Sequence, residues 1–576
     1  PHPNTIRNND IRDFWHSGIF AYYVWDQEIL NNEIHNTGNS WTGTKYGIYM
    51  YNYQRGGEVT IQYNNIHSLT TATAVTYGMY IYAYNYNGSG SDEYIIEHNR
   101  VHRDRGSTTY GIYVYGYSYL ANNTTASKRS ISYNDIELVG ITSTTYGIYD
   151  YGYYGNARRF DVIGNKVNIR TTGTPTVYGI YGIYGYPRFN STEILFANNQ
   201  LNILTNGFTY ALYTSNPYAT KTDVIYNTIN SGPIPNGTVT STKYLYMLYY
   251  VNGDFKNNLL NTNDNGGTVY GIYHYGLTGL GGPSDMDHNN MFIDNASTIT
   301  FYTYNGSTTG QYTTFDEYKR NMGGDGCISV DPKFRNPATY DFTPTSFKMV
   351  NKGQARKDVI TDINGKTRSN TPDIGAIEFD LDVAIGGFSL MGADGTNNSF
   401  ECGNYSETIS LEVTNKNSEA ITGVPVKYSL NGIVQEVSEI SATIAPNATY
   451  KHTFNRPAVF NQPGINDVVV ALDGTDDGPT DNEMSDKVNI VSSPSGFAFS
   501  EGPAFPGYFR DILGGGTTIN PDVTAPDSMM QYELEAPARY GNADYGTTWQ
   551  GTASARTMGG QPVTVSMAQN PSSSGS

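Results

Sequence analysis

The chain repeats itself roughly every thirty residues, and no other feature limits its fold so strongly. Two signals recur in fixed order. The first is Asn-x-apolar: Asn9-Asp10-Ile11, Asn32-Glu33-Ile34, Asn64-Asn65-Ile66, Asn99-Arg100-Val101 and Asn134-Asp135-Ile136. It continues as Asn165-Lys166-Val167, Asn199-Gln200-Leu201, Asn227-Thr228-Ile229, Asn258-Leu259-Leu260 and Asn290-Met291-Phe292. The second is Tyr-Gly-Ile-Tyr or a close variant, starting at Tyr46, Tyr77, Tyr110, Tyr146, Tyr178, Tyr210, Tyr246 and Tyr270. Ser17-Gly18-Ile19-Phe20 is a degenerate first copy. Successive Asn lie 23 to 35 residues apart, and the order of the two signals never breaks.

Helical repeats would space apolar residues by three and four. Here segments such as Met79-Tyr80-Ile81-Tyr82-Ala83-Tyr84 alternate with period two. Short strands after each Asn are what the coils of a parallel β-solenoid require. Asn suits the turn because it tolerates the left-handed conformation and its amide bonds nearby backbone. Stacked coil on coil, Asn32, Asn64, Asn99, Asn134, Asn165, Asn199, Asn227 and Asn258 are expected to form a structural amide ladder.

Strand neighbours point to opposite faces, so the tyrosine motif divides. Ile48, Met79, Ile112, Ile148, Ile180, Leu212, Leu248 and Ile272 are aliphatic and are expected inside. Tyr49, Tyr80, Tyr113, Tyr149, Tyr181, Tyr213, Tyr249 and Tyr273 then face out and are the candidate binding residues. Tyr51, Tyr82, Tyr115, Tyr151 and Tyr275 share that face two residues on, while Asp150 and His274 argue against extending the inward assignment a further step. Gly47 and its equivalents either let bulky neighbours stack closely or mark a bend. The outward rings have three open roles: stiffening stacks, a platform for sugar rings, or an assembly interface.

Composition agrees with an all-β chain. Tyr, Thr, Ile and Val outweigh the helix formers, and 13% aromatic content argues against disorder. No run of about 18 apolar residues is present to cross a membrane as a helix. With 35 basic against 53 acidic residues, a nucleic-acid partner is not expected. Of the 51 tyrosines, 44 fall in 1–380. There 27 basic and 31 acidic residues leave −4, whereas 8 and 22 leave −14 in 381–576.

The Asn-x-apolar ladder resembles the right-handed parallel β-helix repeats of the pectate-lyase-like superfamily. Val330-Asp331-Pro332-Lys333-Phe334, Tyr340-Asp341-Phe342-Thr343 and Thr371-Pro372-Asp373-Ile374-Gly375-Ala376-Ile377-Glu378 resemble the closing segment of secreted bacterial members. The resemblance implies a β-helix of about ten coils over 1–320 and its C-terminal cap over 321–380. Relatives that cleave acidic polysaccharide need an acidic cluster for Ca²⁺ with a basic residue, and hydrolytic ones need converging carboxylates. Such groups must fall at equivalent positions of adjacent coils. The column after each Asn reads Asp10, Glu33, Asn65, Arg100, Asp135, Lys166, Gln200 and Thr228, with mixed signs and no acidic run. No catalytic residue and no cofactor is assigned. His35, His67 and His102 fall on successive coils as weak metal candidates; the same column continuing as Asn168, Asn202, Asn230 and Asn261 favours a plain polar ladder. Arg100, His102, Arg103 and Arg105 beside Asp104 read as a solvated loop.

From 381 to 491 alternating runs flank Asn431-Gly432, a hairpin signal, and about seven strands fit an immunoglobulin-like sandwich. That module resembles the adhesion-type sandwiches of large bacterial surface proteins. The loop Asp473-Gly474-Thr475-Asp476-Asp477-Gly478 lacks the closing Glu of a Ca²⁺ loop, since Met484 stands there, and reads as a solvated acidic turn. Residues 497–576 read as a partial β-rich module, in a style resembling Bacteroidota surface proteins exported by type IX secretion. The ends, Pro1-His2-Pro3-Asn4 and Pro571-Ser572-Ser573-Ser574-Gly575-Ser576, look like cuts in a longer protein. Cys327 and Cys402 are too few for a disulfide framework, and a bridge between them is left open. The expected function is a non-enzymatic structural or adhesive segment at a bacterial cell surface, contacting other surface proteins or glycans. The alternative is a polysaccharide-binding or polysaccharide-degrading β-helix.

Overall fold

The computed structural model describes residues 3–24, 26–36, 42–53, 58–69, 74–85, 93–118, 127–153, 157–184, 193–217, 219, 221–276, 285–304 and 310–391. It further describes 400–402, 405–474, 476–478, 480–491, 533–534, 550–556 and 562–568. Two compact units divide the chain, 1–380 and 381–576.

In the first unit the chain winds through three sheets, giving one strand to each per coil. The first sheet has nine strands, from Asn4–Arg7 to Phe255–Lys256, and the second ten, from Asp10–Arg12 to Asn290–Asp294. The third has ten parallel strands, from Ser17–Tyr22 to Thr298–Tyr304, and ends on the antiparallel Gln311–Tyr312. Period-two alternation sends aliphatic columns inward from each sheet. Ile61, Ile96 and Ile131 come from the first sheet, Ile66, Val101 and Ile136 from the second, and Ile48, Met79 and Ile112 from the third; all are buried. The inward assignment also extends one step further than expected. Asp150 is buried, accepting the hydroxyls of Tyr94 at 2.9 Å and Tyr184 at 2.6 Å. His274 is buried too, its Nδ1 3.2 Å from the Tyr302 hydroxyl, and burial pushes its imidazole down to about 4.

The asparagine ladder forms, and each rung from Asn32 to Asn258 makes the same set of bonds. The Asn134 carboxamide oxygen accepts from the Asn99 backbone N–H at 3.1 Å and from its Nδ2 at 3.0 Å. Its Nδ2 donates to the Asn165 carboxamide oxygen at 3.0 Å and to the Ile96 carbonyl at 2.8 Å. Two details differ from the sequence reading. The left-handed residue is the one before each rung: Asn8, Asn31, Tyr63, His98, Tyr133, Gly164, Asn198, Tyr226, Asn257 and His288 all have φ between 54° and 67°. The last asparagine rung is Asn289 rather than Asn290, because the Asn258 backbone N–H donates to Asn289 at 2.9 Å. Beyond it, the Asn289 N–H donates to the Cys327 sulfur at 3.4 Å, so a buried, free thiol ends the row.

Gly47 and its equivalents satisfy both readings offered for them. The pairing of Tyr46 with Tyr77 and Ile48 with Met79 skips the glycine, which bends the strand. A Cβ on Gly147 would sit 2.5 Å from the Gly179 carbonyl and 2.4 Å from Val167.

After the solenoid, a short helix, Phe315–Tyr318, carries a capping box from Thr314 and buries Tyr318. Residues beyond 350 then run back along the coils, over the left-handed column. Asn198 Nδ2 donates to the Thr361 carbonyl at 2.7 Å, and Asn257 Nδ2 to the Gln354 carbonyl at 2.8 Å. The Arg368 guanidinium lies 3.8 Å from the centre of the Tyr226 ring and 3.2 Å from Glu378.

The second unit is a β-sandwich. One sheet orders Val383–Met391, Tyr405–Asn415 and Thr449–Thr453, with Ala458–Phe460 also pairing to the middle strand. The other orders Phe400–Cys402, Glu483–Val491, Gly464–Leu472, Val424–Leu430 and Ile433–Ile440. Asn431 and Gly432 turn the hairpin with φ of 52° and 78°, as a primed turn requires. The acidic loop is an anchor rather than a solvated turn. Asp476 is buried and accepts the Val383 N–H at 2.8 Å, and Asp477 accepts the Leu381 N–H at 2.8 Å. The side chain of Cys402 lies outside the described residues. So does most of 497–576, whose described part is an antiparallel sheet of Glu533–Leu534, Gln550–Arg556 and Pro562–Ala568.

Candidate functional site

The third sheet positions the tyrosines. Because its strands pair in register, equal residues of successive coils stand above one another. Three outward stacks result. Tyr46, Tyr77, Tyr110, Tyr146, Tyr178, Tyr210, Tyr244 and Tyr270 form the first, with ring centres 4.5–5.3 Å apart. Phe20, Tyr49, Tyr80, Tyr113, Tyr149, Tyr181 and Tyr213 form the second, at 4.6–5.2 Å. Tyr22, Tyr51, Tyr82, Tyr115 and Tyr151 form the third, at 4.7–5.3 Å. Within a coil the first two stacks meet edge to face, as Tyr110 and Tyr113 do at 89°.

One coil departs from the predicted register. Its copy of the motif is Tyr244-Leu245-Tyr246-Met247, with Leu245 at the glycine position, so Tyr246 points inward beside Leu212 and Ile272. Met247 therefore takes the place assigned to Tyr249. Tyr249 joins the third column, 4.8 Å from Tyr275, and Leu248 lies inward two residues beyond its expected position. Tyr273 does occupy the second column, across Met247.

The rings are half-buried. Each face in mid-stack is covered by the rings above and below, so edges and hydroxyls meet the solvent. Burial, reinforced by neighbouring phenols, pushes Tyr113 and Tyr181 up to about 12. The same causes push Tyr77, Tyr80, Tyr146 and Tyr149 well above the ordinary phenol value. The face thus carries neutral hydroxyl donors at neutral pH.

An acidic column, missed in the sequence, lies on the first sheet. Val224 pairs with Phe255, and Asp254 bridges Asp285, which aligns Asp223, Asp254 and Asp285 on successive coils. Arg356, from the returning segment, reaches Asp223 at 3.5 Å, Asp254 at 2.5 Å and Asp358 at 3.1 Å. Lys221 pairs with Asp223 at 2.6 Å, and Lys256 pairs with Asp285. Hydrogen bonds and charge from Asp358 and Asp254 outweigh desolvation and hold Arg356 firmly protonated. The arrangement clamps the returning segment onto the coils, each carboxylate being matched by a cation of the chain.

The three histidines do fall in line on the second sheet. His35 and His67 stack at 5.0 Å and 2°, and each imidazole turns to a carboxylate. His35 is 2.8 Å from Asp10, His67 2.6 Å from Glu33, and His102 2.7 Å from Asp104. Asn65, His67, Ser68, Arg100, His102 and Asp104 line a cavity of about 280 Å³. Among the described residues, no group of three or more His, Cys, Asp or Glu is arranged to hold a metal ion. Arg103, expected in a solvated loop, is instead buried, with Nε donating to the Arg105 carbonyl at 2.6 Å. Burial pushes its guanidinium down to about 10.

Residues 2–125 match the family model described as a right handed beta helix region. No curated protein matches the chain. Two solved structures of the CARDB domain of a Pyrococcus furiosus protein are similar at 14% identity. One is a crystal structure in complex with di-metal ions, covering 19% of this chain and 90% of that one. The other, a solution structure, covers 19% and 96%; both have a TM-score of 0.16. Register, ladder and family match together make the repeat region of this chain a right-handed parallel β-helix.

Proposed function

We propose that the chain is a non-enzymatic structural and adhesive segment of a large extracellular bacterial surface protein, whose tyrosine face makes the contact. The observation that carries this reading is the row of three aromatic stacks along one sheet. Such a face is extended and regular, and extended aromatic surfaces mark interaction sites. Stacked rings favour a protein surface as partner over sugar rings. A sugar needs an open aromatic face, and within the described part of the three stacks it is end rings such as Phe20 and Tyr22, 57% and 50% exposed, that offer one. A labelled sample of the chain on an array of extracellular proteins and glycans tests this: protein spots are expected to bind. Binding confined to glycans would overturn the choice of partner.

The second reading, a polysaccharide-degrading β-helix, is favoured by one observation, the Asp223, Asp254 and Asp285 column with Arg356 beside it. Against it stand the internal pairing of those carboxylates and the segment folded across them. Incubating the chain with polygalacturonate and Ca²⁺ distinguishes the two. No new unsaturated or reducing ends are expected, and their release at a rate lost in Asp254→Ala would establish the second reading.

A further inference from the structure

Inside the eighth coil lies a charged pair that the tyrosine face does not use. Lys243 opens the strand Thr242–Tyr249 on its inward side, and Asp264 follows the second-sheet strand Leu259–Asn263 of the next coil. Both side chains are 0% exposed, and Lys243 Nζ lies 2.6 Å from Asp264 Oδ1. Nζ also donates to Ser231 Oγ at 3.2 Å and to the Gly232 carbonyl at 3.0 Å. Thr262 Oγ1 donates to Asp264 Oδ2 at 2.9 Å, fixing the carboxyl plane. The solenoid does not need a lysine there: the same column reads Thr76, Thr109, Thr145, Val177, Thr209 and Val269, with Lys45 the other exception.

We propose that Lys243 and Asp264 condense into an intramolecular isopeptide bond, a covalent staple between successive coils. Taking two ions out of water is unfavourable, and an amide removes both charges at once. Burial lowers the Lys243 ammonium from its ordinary value against the opposing pull of Asp264, which favours the free amine that a nucleophilic lysine requires. The proton passes from Nζ to the carboxylate, leaving an amine and a carboxylic acid in contact. The amine lone pair attacks Cγ, one bond beyond Oδ1, while Thr262 stabilises the oxygen that gains charge. A second proton moves from Nζ to the departing Oδ1, the Cγ–Oδ1 bond breaks, and water leaves. The sum is ammonium plus carboxylate giving amide plus water, so no oxidant or cofactor enters. Direct contact in a rigid core supplies the proximity such a step needs.

Mass spectrometry of the whole denatured chain tests the bond. The expected mass is lower than the sequence mass by about 18 Da, one water. Trypsin is expected to spare Lys243 and release residues 222–256 branched to 257–319. Lys243→Met and Asp264→Leu are each expected to restore the full mass. Should either variant misfold, the wild-type mass and peptide map still decide. Full sequence mass after days of incubation of the folded protein would overturn the proposal. So would a loss of water that maps to a succinimide elsewhere, as at Asp473-Gly474, with Lys243 cleaved normally.

Discussion

At the scale of single residues, the amide ladder is the feature on which the repeat turns. Asn134 removes two buried donors of Asn99 from need and places its own Nδ2 on two acceptors. Asn134→Ala strands those groups in a dry interior, and a loss of roughly 2–4 kcal/mol is expected in urea unfolding. Asn9→Ala, at the exposed first rung, is expected to lose under about 1 kcal/mol. Equal effects at the two sites would refute the ladder account. Gly147→Ala, which drives a Cβ against the Gly179 carbonyl, is expected to destabilise by about 1–3 kcal/mol in the same assay. The rungs were legible because one residue type recurs with one chemistry. The left-handed position before them was not, since Asn, Tyr, His and Gly all occupy it and only a backbone angle is shared. The aspartate column was legible in principle: Asp223, Asp254 and Asp285 each stand four residues before Asn227, Asn258 and Asn289. It lies on the opposite side of the asparagine from the mixed-sign column that follows each rung.

At the scale of elements, the third sheet converts a two-residue alternation into continuous aromatic stacks. Parity was readable from aliphatic residues alone. The exception at Tyr244 arose because Tyr246-Met247-Leu248-Tyr249 imitates the motif two residues late, while the true copy has lost its glycine to Leu245. Stacking has a measurable consequence at high pH. Tyr113, Tyr181 and Tyr210 are raised to about 12 in the folded sheet, against an unfolded value near 10. Between those values the unfolded chain has lost protons that the folded chain retains. The stabilisation from these phenols is therefore complete below about pH 10 and lost as pH rises through 12. Phenolate absorbance is expected to lag in the native protein and then rise together with loss of the strand signal in circular dichroism. Titration of every tyrosine near pH 10 with the sheet intact would contradict the stacks.

At the scale of the molecule, each unit has its own logic. In the first, rungs inside, aromatic stacks outside and a returning segment clamped by Arg356 all resist uncoiling. Arg356→Ala leaves Asp223 and Asp254 without that cation, and a loss of about 2–4 kcal/mol is expected. Limited proteolysis is then expected to cut first between residues 351 and 380; an unchanged cutting pattern would speak against the clamp. The proposed role of the tyrosine face is contact with protein. Its most direct test compares the chain with the triple variant Tyr80→Thr, Tyr113→Thr, Tyr149→Thr on an array of extracellular proteins, circular dichroism confirming that both are folded. Wild type is expected to bind, and the variant to lose at least tenfold in affinity, about 1.4 kcal/mol or more. Equal binding by the two folded proteins would contradict it.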